Sequence, residues 1–286
     1  MRTSVSSMIA ATTIPLIAFV AYGAEPESSA GGVSGALALE TKSLDELIDG
    51  LSEFKVRDGD EIMRDRLAAG ILKWQTVKNH NGERIIVWNE CGRRIEKKEA
   101  KEAALEWAYH LIRAANNSEK LYGWRINLWG VMGTIANESN FDRCAIGRHT
   151  REWAYKKKLL KPKKYTWISH SKKDILHLIN SRRWSKEWKW VDAGPLQVLW
   201  KRIYKGPLED MITLNPGLDI GIQEMQRRTN HFQSYVGKKD RRRLRRVVKR
   251  SWRMWPGAHV EDKRATKYDE KVTKYARKMG ALRTEI

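Results

Sequence analysis

Ile126-Asn-Leu-Trp-Gly-Val-Met-Gly-Thr-Ile-Ala-Asn-Glu138-Ser-Asn-Phe141 is the stretch on which the reading of this chain turns. It is apolar on nearly every side, and a helix of that kind has to be buried. Glu138 then emerges at the edge of a core, where loss of water raises a carboxyl pKa and keeps its proton near neutral pH. A general acid needs that state. The plainer alternative is a helix-terminal Glu that reaches solvent.

The rest of the chain narrows what such an acid would work on. With 286 residues and 41% hydrophobic content there is enough material for one large or two modest domains. Residues 1–137 hold 17 Lys+Arg against 18 Asp+Glu, while residues 138–286 hold 38 against 16, so the whole +21 belongs to the second half. That lopsided charge calls for a polyanionic partner or setting: nucleic acid, an anionic membrane surface or an acidic wall polymer. Thirteen Trp against four Phe fit either a core or stacking on sugars and bases.

Arg2, the apolar run Met8–Val20 and the small residues up to Ala24 have the ingredients of a secretory signal over 1–24, with cleavage near Gly23 or Ala24. A retained anchor is the alternative. Export argues against the nucleic-acid reading of the charge. Cys91 and Cys144 either form a disulfide closing a long loop or remain two buried thiols. No zinc-binding spacing is present, so no metal and no cofactor are expected.

Residues 25–39 read as a Ser/Gly/Ala linker and residues 40–98 as an N-terminal helical and hairpin region. In that region Ser43-Leu-Asp-Glu46 opens one helix and Glu61–Ala69 forms a second. Asn81-Gly82 turns a hairpin between two Val/Ile/Trp-bearing runs. Glu99–Ala115 is an amphipathic helix, and the helix ending at Glu138 follows it. Arg148–Trp190 carries basic runs and five Trp (153, 167, 184, 188, 190), and reads as a solvated insertion anchored by its Trp, the alternative being a stretch that follows a polyanionic or glycan chain. Later helices are expected over Gly217–Thr229, over the strongly basic Lys238–Arg250, and from Tyr268 to Lys278. Strand signals beyond the hairpin are weak, so the chain is mainly α.

Several weak motifs gain weight from their order. Glu138-Ser-Asn-Phe141 is followed by Asp192-Ala-Gly-Pro-Leu-Gln197 and by Leu214-Asn-Pro-Gly-Leu-Asp-Ile220. Trp252-Arg-Met-Trp-Pro-Gly-Ala258 and Tyr268-Asp-Glu-Lys-Val272 complete the series. Together they resemble the catalytic domain of the lytic murein transglycosylases, which share the lysozyme-like fold with goose-type lysozymes. The resemblance covers roughly residues 100–280. It implies a lysozyme-like (α+β) catalytic domain over 99–286, with 148–190 inserted, acting on peptidoglycan glycan strands.

Carried over position by position, Glu138 resembles the acid/base residue and Ser139 the neighbour that polarises the substrate. Gly194 resembles a glycine that lets the chain approach the sugar, and Gln197 an amide that hydrogen-bonds glycan. Trp252 lies where the family has a substrate-side tyrosine, and Tyr268 resembles the tyrosine whose hydroxyl faces the catalytic carboxylate. Each has a plainer reading as a turn, surface or core residue. The chain departs from the family at Trp252-Arg253 in place of Tyr-Asn, at Pro195 in place of Leu, and at Asp219 in place of Asn. The family manages with one Glu and with help from the substrate's acetamido group, an exception to the usual carboxylate pair. Asp142 or Asp192 would supply the second carboxylate in a hydrolase. A third reading is a non-catalytic binder of anionic wall polymer, nucleic acid or membrane, using the basic half.

Overall fold

The computed structural model describes residues 60–160, 169–181, 190–236, 250–255 and 263–286. The predicted signal, the linker, the Ser43 helix, three of the five insertion Trp and the basic segment up to residue 249 lie outside the described residues. Those described are mainly helical, with small antiparallel hairpins.

Helix α1 (Asp60–Trp74) leads into β1 (Thr76–Lys78) and β2 (Arg84–Ile86), which pair antiparallel as Asn81-Gly82 predicts. A second small hairpin, β3 (Asn89–Glu90) with β4 (Arg93–Arg94), follows at once. Helix α2 (Ala100–Tyr122) buries Ala104, Trp107, Ala108, Leu111 and Ala115 on one face. It runs past the predicted end at Ala115 and stops at Gly123, whose φ of +75° suits a glycine cap.

Helix α3 (Leu128–Glu138) is the quoted stretch, and nine of its eleven residues are buried. Asn127 caps it by accepting the Gly130 N–H at 3.0 Å. Its glycines permit close packing. A Cβ on Gly130 would lie 2.0 Å from the Trp252 ring, and one on Gly133 would lie 2.5 Å from the Val272 carbonyl oxygen. Helix α8 (Lys263–Met279) therefore lies directly against α3, with Val272, Ala276 and Met279 facing inward.

Between α3 and α8 come α4 (Arg148–Lys156), α5 (Lys172–Asn180) and the hairpin β5 (Val191–Ala193) to β6 (Val198–Trp200). The short α6 (Leu208–Met211), the long α7 (Leu214–Val236) and a 3-10 turn (Ser251–Met254) follow. Pro216 is tolerated because it sits in the first turn of α7. Leu218, Ile222 and Met225 of α7 are buried, as their spacing predicts.

The described parts of Arg148–Trp190 correct the solvated-insertion expectation. Ala154, Leu160, Ile175, Leu178 and Ile179 belong to the main core, so this segment is held by aliphatic burial. Trp153 is only half-buried against that core, and Trp190 is exposed under Arg202. Leu67, Ile71, Trp88 and Ile95 share the same core, so residues from Asp60 onward pack with the later helices.

Cys91 and Cys144 form a disulfide across 53 residues. Loop-closure entropy makes such a crosslink worth about 4 kcal/mol.

Candidate active site

Burial of α3 carries Glu138 to the rim of the core, where its side chain borders a groove of about 790 Å³. Tyr268, on the first turns of α8, donates its hydroxyl to Glu138 Oε1 at 2.5 Å. Asn137 Nδ2 donates to the same oxygen at 3.0 Å. Both donors converge on Oε1, so Oε2 is the oxygen left to carry a proton.

Burial pushes the Glu138 pKa up, and the negative charge of Asp192 adds to the shift. The Tyr268 and Asn137 hydrogen bonds and the Lys271 charge pull the other way without cancelling it. Tyr268 stays a phenol, because burial and the neighbouring Glu138 raise its pKa well above the usual value. A protonated carboxyl held by a permanent donor is the arrangement a general acid requires. Tyr268→Phe removes a bond that lowers the Glu138 pKa. The high-pH limb of any Glu138-dependent rate should therefore move to higher pH, as well as the rate falling. A pH–rate profile checks this, and a limb that stays put or moves down refutes it.

The loop after Glu138 is pinned from the N-terminal side. Asn140 and Phe141 both sit at positive φ, a conformation disfavoured for residues with a Cβ. Trp74 Nε1 donates to Asn140 Oδ1 at 2.7 Å, Gln75 Nε2 to the Asn140 carbonyl at 2.8 Å and Trp88 Nε1 to the Phe141 carbonyl at 2.9 Å. Asp142 Oδ1 accepts the backbone N–H groups of Cys91 and Cys144 at 2.9 and 3.0 Å, beside the disulfide. Asp142 is 5% exposed, and burial pushes its pKa up to about 6. Its structural duties remove it as a second catalytic carboxylate. Cys91, Cys144 and Asp142 form a cluster of metal-ligating types, but the two sulfurs are spent on each other.

Ser139 is 4% exposed, and its hydroxyl donates to the Ile135 carbonyl of its own helix at 3.2 Å. It borders a small pocket of about 10 Å³, room for one water, that shares Glu138 and Arg151 with the groove but whose lining is otherwise different. The groove wall opposite α3 comes from the β5–β6 hairpin. Asp192 and Gln197 both line it, and Asp192 is half-buried with its pKa raised by burial. Gln197 has a φ of +52° and directs Nε2 to the carbonyls of Ala145 and Gly194 at 3.0 and 2.9 Å. The amide oxygen is the atom Gln197 can offer a ligand.

Two expectations need correction. Gly194 has a φ of +80°, and a Cβ there would lie 2.1 Å from the Met211 carbonyl oxygen. Its missing side chain makes room for the chain's own backbone, not for a sugar. Trp252 is 0% exposed, with its ring on Gly130 and Nε1 donating to Asp269 Oδ1 at 2.8 Å. A side chain without solvent contact cannot touch a glycan, so Trp252 is core. A Trp that does border the groove is Trp255, three residues on, with the Arg228 guanidinium 4.8 Å from its ring centre.

The departure at Asp219 also has a local reason. Arg113 pairs with its carboxylate at 2.5 Å and Asn117 donates to it at 3.3 Å, so the charge joins α7 to α2. Sequence reasoning passed over Asn137, Arg151 and Trp255, all of which line the groove. The position of Asn137, directly before Glu138 at a helix end, was a usable signal. No protein-family model matches the chain, and no curated protein or solved structure matches it either.

Proposed function

We propose that this chain is a lytic transglycosylase, with a lysozyme-like catalytic domain, that cleaves the β-1,4 bond between N-acetylmuramic acid and N-acetylglucosamine in peptidoglycan. The observation that carries the reading is Glu138. It is a carboxyl with a raised pKa at the edge of a large groove, holding a hydrogen bond from Tyr268 at 2.5 Å. Motif order supplied that pairing in advance, from residues 130 positions apart.

Glu138 Oε2 gives its proton to the bridging oxygen as the bond breaks. The 2-acetamido group of the muramic acid stabilises the oxocarbenium-like centre. The resulting carboxylate then takes the proton of the sugar's own 6-hydroxyl, and that oxygen closes on the anomeric carbon. The product is a 1,6-anhydro sugar, and no water is consumed. Throughout, Tyr268 and Asn137 stabilise charge on Oε1. These steps call for neither metal nor cofactor.

One observation favours a second reading. Asp192 lines the same groove, and its charge acts on Glu138. Directing a water from Asp192 would make the protein a muramidase of the same specificity. Digestion of purified sacculi separates the two, because anhydro ends are lighter by one water than hydrolysed ends. Anhydro ends in the mass spectrum are the expected result. Reducing ends would favour the hydrolase, and no released muropeptides would overturn both.

The setting we propose is extracytoplasmic, periplasmic in a bacterium with two membranes. The Cys91–Cys144 disulfide supports it, because such bonds persist in oxidising compartments. No helix among the described residues is long and apolar enough to cross a membrane. The basic half suits an anionic envelope.

A further inference from the structure

The described lining of the groove has more basic than acidic side chains: Arg148, Arg151, Arg228 and Lys271 against Glu138 and Asp192. Three of the four cations have an evident environment. Arg148 Nε lies 2.7 Å from Glu152, and Arg228 binds Glu224 and the Trp255 carbonyl. Lys271 is solvent-exposed, with Nζ 5.7 Å from the Tyr275 ring centre.

Arg151 differs from these. It projects from α4, is half-buried, and borders both the groove and the small pocket beside Glu138. Among the described residues it has no hydrogen-bond or ion-pair partner. Its guanidinium stays charged at any physiological pH: burial lowers its pKa, and the nearby Tyr155, Asp142 and Glu152 offset that only in part. A charge drawn out of water with carboxylates near it but none in direct contact is only partly compensated. Sugar hydroxyls do not neutralise it, whereas a carboxylate does so through two parallel hydrogen bonds.

We propose that Arg151 anchors a carboxylate subsite next to Glu138, so that the groove selects glycan bearing a carboxylate near the scissile bond over neutral glycan. The inference rests on the glycan-cleaving reading above and adds a determinant of specificity to it. Arg151 lies in the segment where the chain departs from the family it resembles. Peptidoglycan offers this chemistry from two sources. One is the free lactyl group of muramic acid in strands stripped of peptide, and the other is the carboxylates of the stem peptide.

The test is calorimetric binding to the Glu138→Gln protein, which holds substrate without turning it over. Four oligosaccharides of equal length are compared. They are a neutral N-acetylglucosamine oligomer, a muramyl oligomer with free lactyl groups, the same oligomer with those groups capped as methylamides, and one bearing stem peptides. A carboxylate-bearing ligand should bind roughly tenfold tighter than the neutral oligomer. Preference for the free lactyl form identifies the stripped strand, and preference for the peptide form identifies the stem. Adding Arg151→Gln should abolish the preference, while Arg151→Lys should keep part of it, with thermal unfolding unchanged in both. Equal binding of neutral and anionic ligands, or a preference that survives Arg151→Gln, overturns the subsite and leaves the cleavage reading standing. Failure of every glycan to bind overturns both.

Discussion

Replacing Glu138 by Gln should lower glycan cleavage by on the order of 10³-fold while the protein stays folded. The amide keeps the shape of the side chain and can still accept the Tyr268 hydroxyl, which donates to Oε1 at 2.5 Å. It has no proton to give to a leaving oxygen. Stability gives an independent sign. Burial raises the Glu138 pKa, so folding favours the protonated form, and stability falls as pH rises through the raised pKa. A neutral amide removes that penalty. The variant should thus be as stable as the parent, or more so, at neutral pH, even though it is inactive. Release of soluble muropeptides and thermal unfolding measure the two effects side by side. Near-normal cleavage by this variant would remove Glu138 as the acid and the proposed function with it.

Trp252→Ala should cost about 3–5 kcal/mol of stability, the range for deleting a large buried aromatic. Its ring fills the space that Gly130 leaves on α3, and its indole N–H satisfies Asp269, which is itself 5% exposed. Truncation therefore leaves a cavity and takes a donor from a buried carboxylate. Arg250 Nη1 remains on Asp269 at 2.9 Å and limits the damage. Urea unfolding should show the loss, and the molecules still folded should bind glycan as the parent does. A substrate-contacting Trp would give the opposite pair of results, with stability kept and affinity lost.

What could be read in advance follows from how each segment earns its structure. Helix α3 was legible because an all-round apolar surface has one physical solution, burial, and because Glu138 then falls at its open end. The Asn81-Gly82 hairpin was legible because the turn chemistry is local. Helix α2 continues past the predicted end at Ala115 through Asn116, Asn117 and Ser118, which are poor helix formers. Each of the three finds a tertiary hydrogen-bond partner, in Asp60, Asp219 and Gln226 respectively. The hairpins β3–β4 and β5–β6 have strands of two and three residues, too short to show a period. Trp252 was assigned to the substrate by its place in a motif, and only the packing of α3 against α8 reveals that the place is interior. Arg151 carried no signal at all, since the surroundings of a half-buried charge are visible only once the chain is folded.

The contact between Glu138 and Tyr268 joins the middle of the polypeptide to a helix that begins at Lys263. During synthesis Glu138 leaves the ribosome as an ordinary ionised side chain in water. Its raised pKa comes from burial, and the helix from Lys263 onward brings the Tyr268 hydroxyl and the Lys271 charge that temper it. The Glu138–Tyr268 pair is therefore completed late in synthesis, and a nascent fragment lacking that helix would hold the carboxyl without its phenol donor.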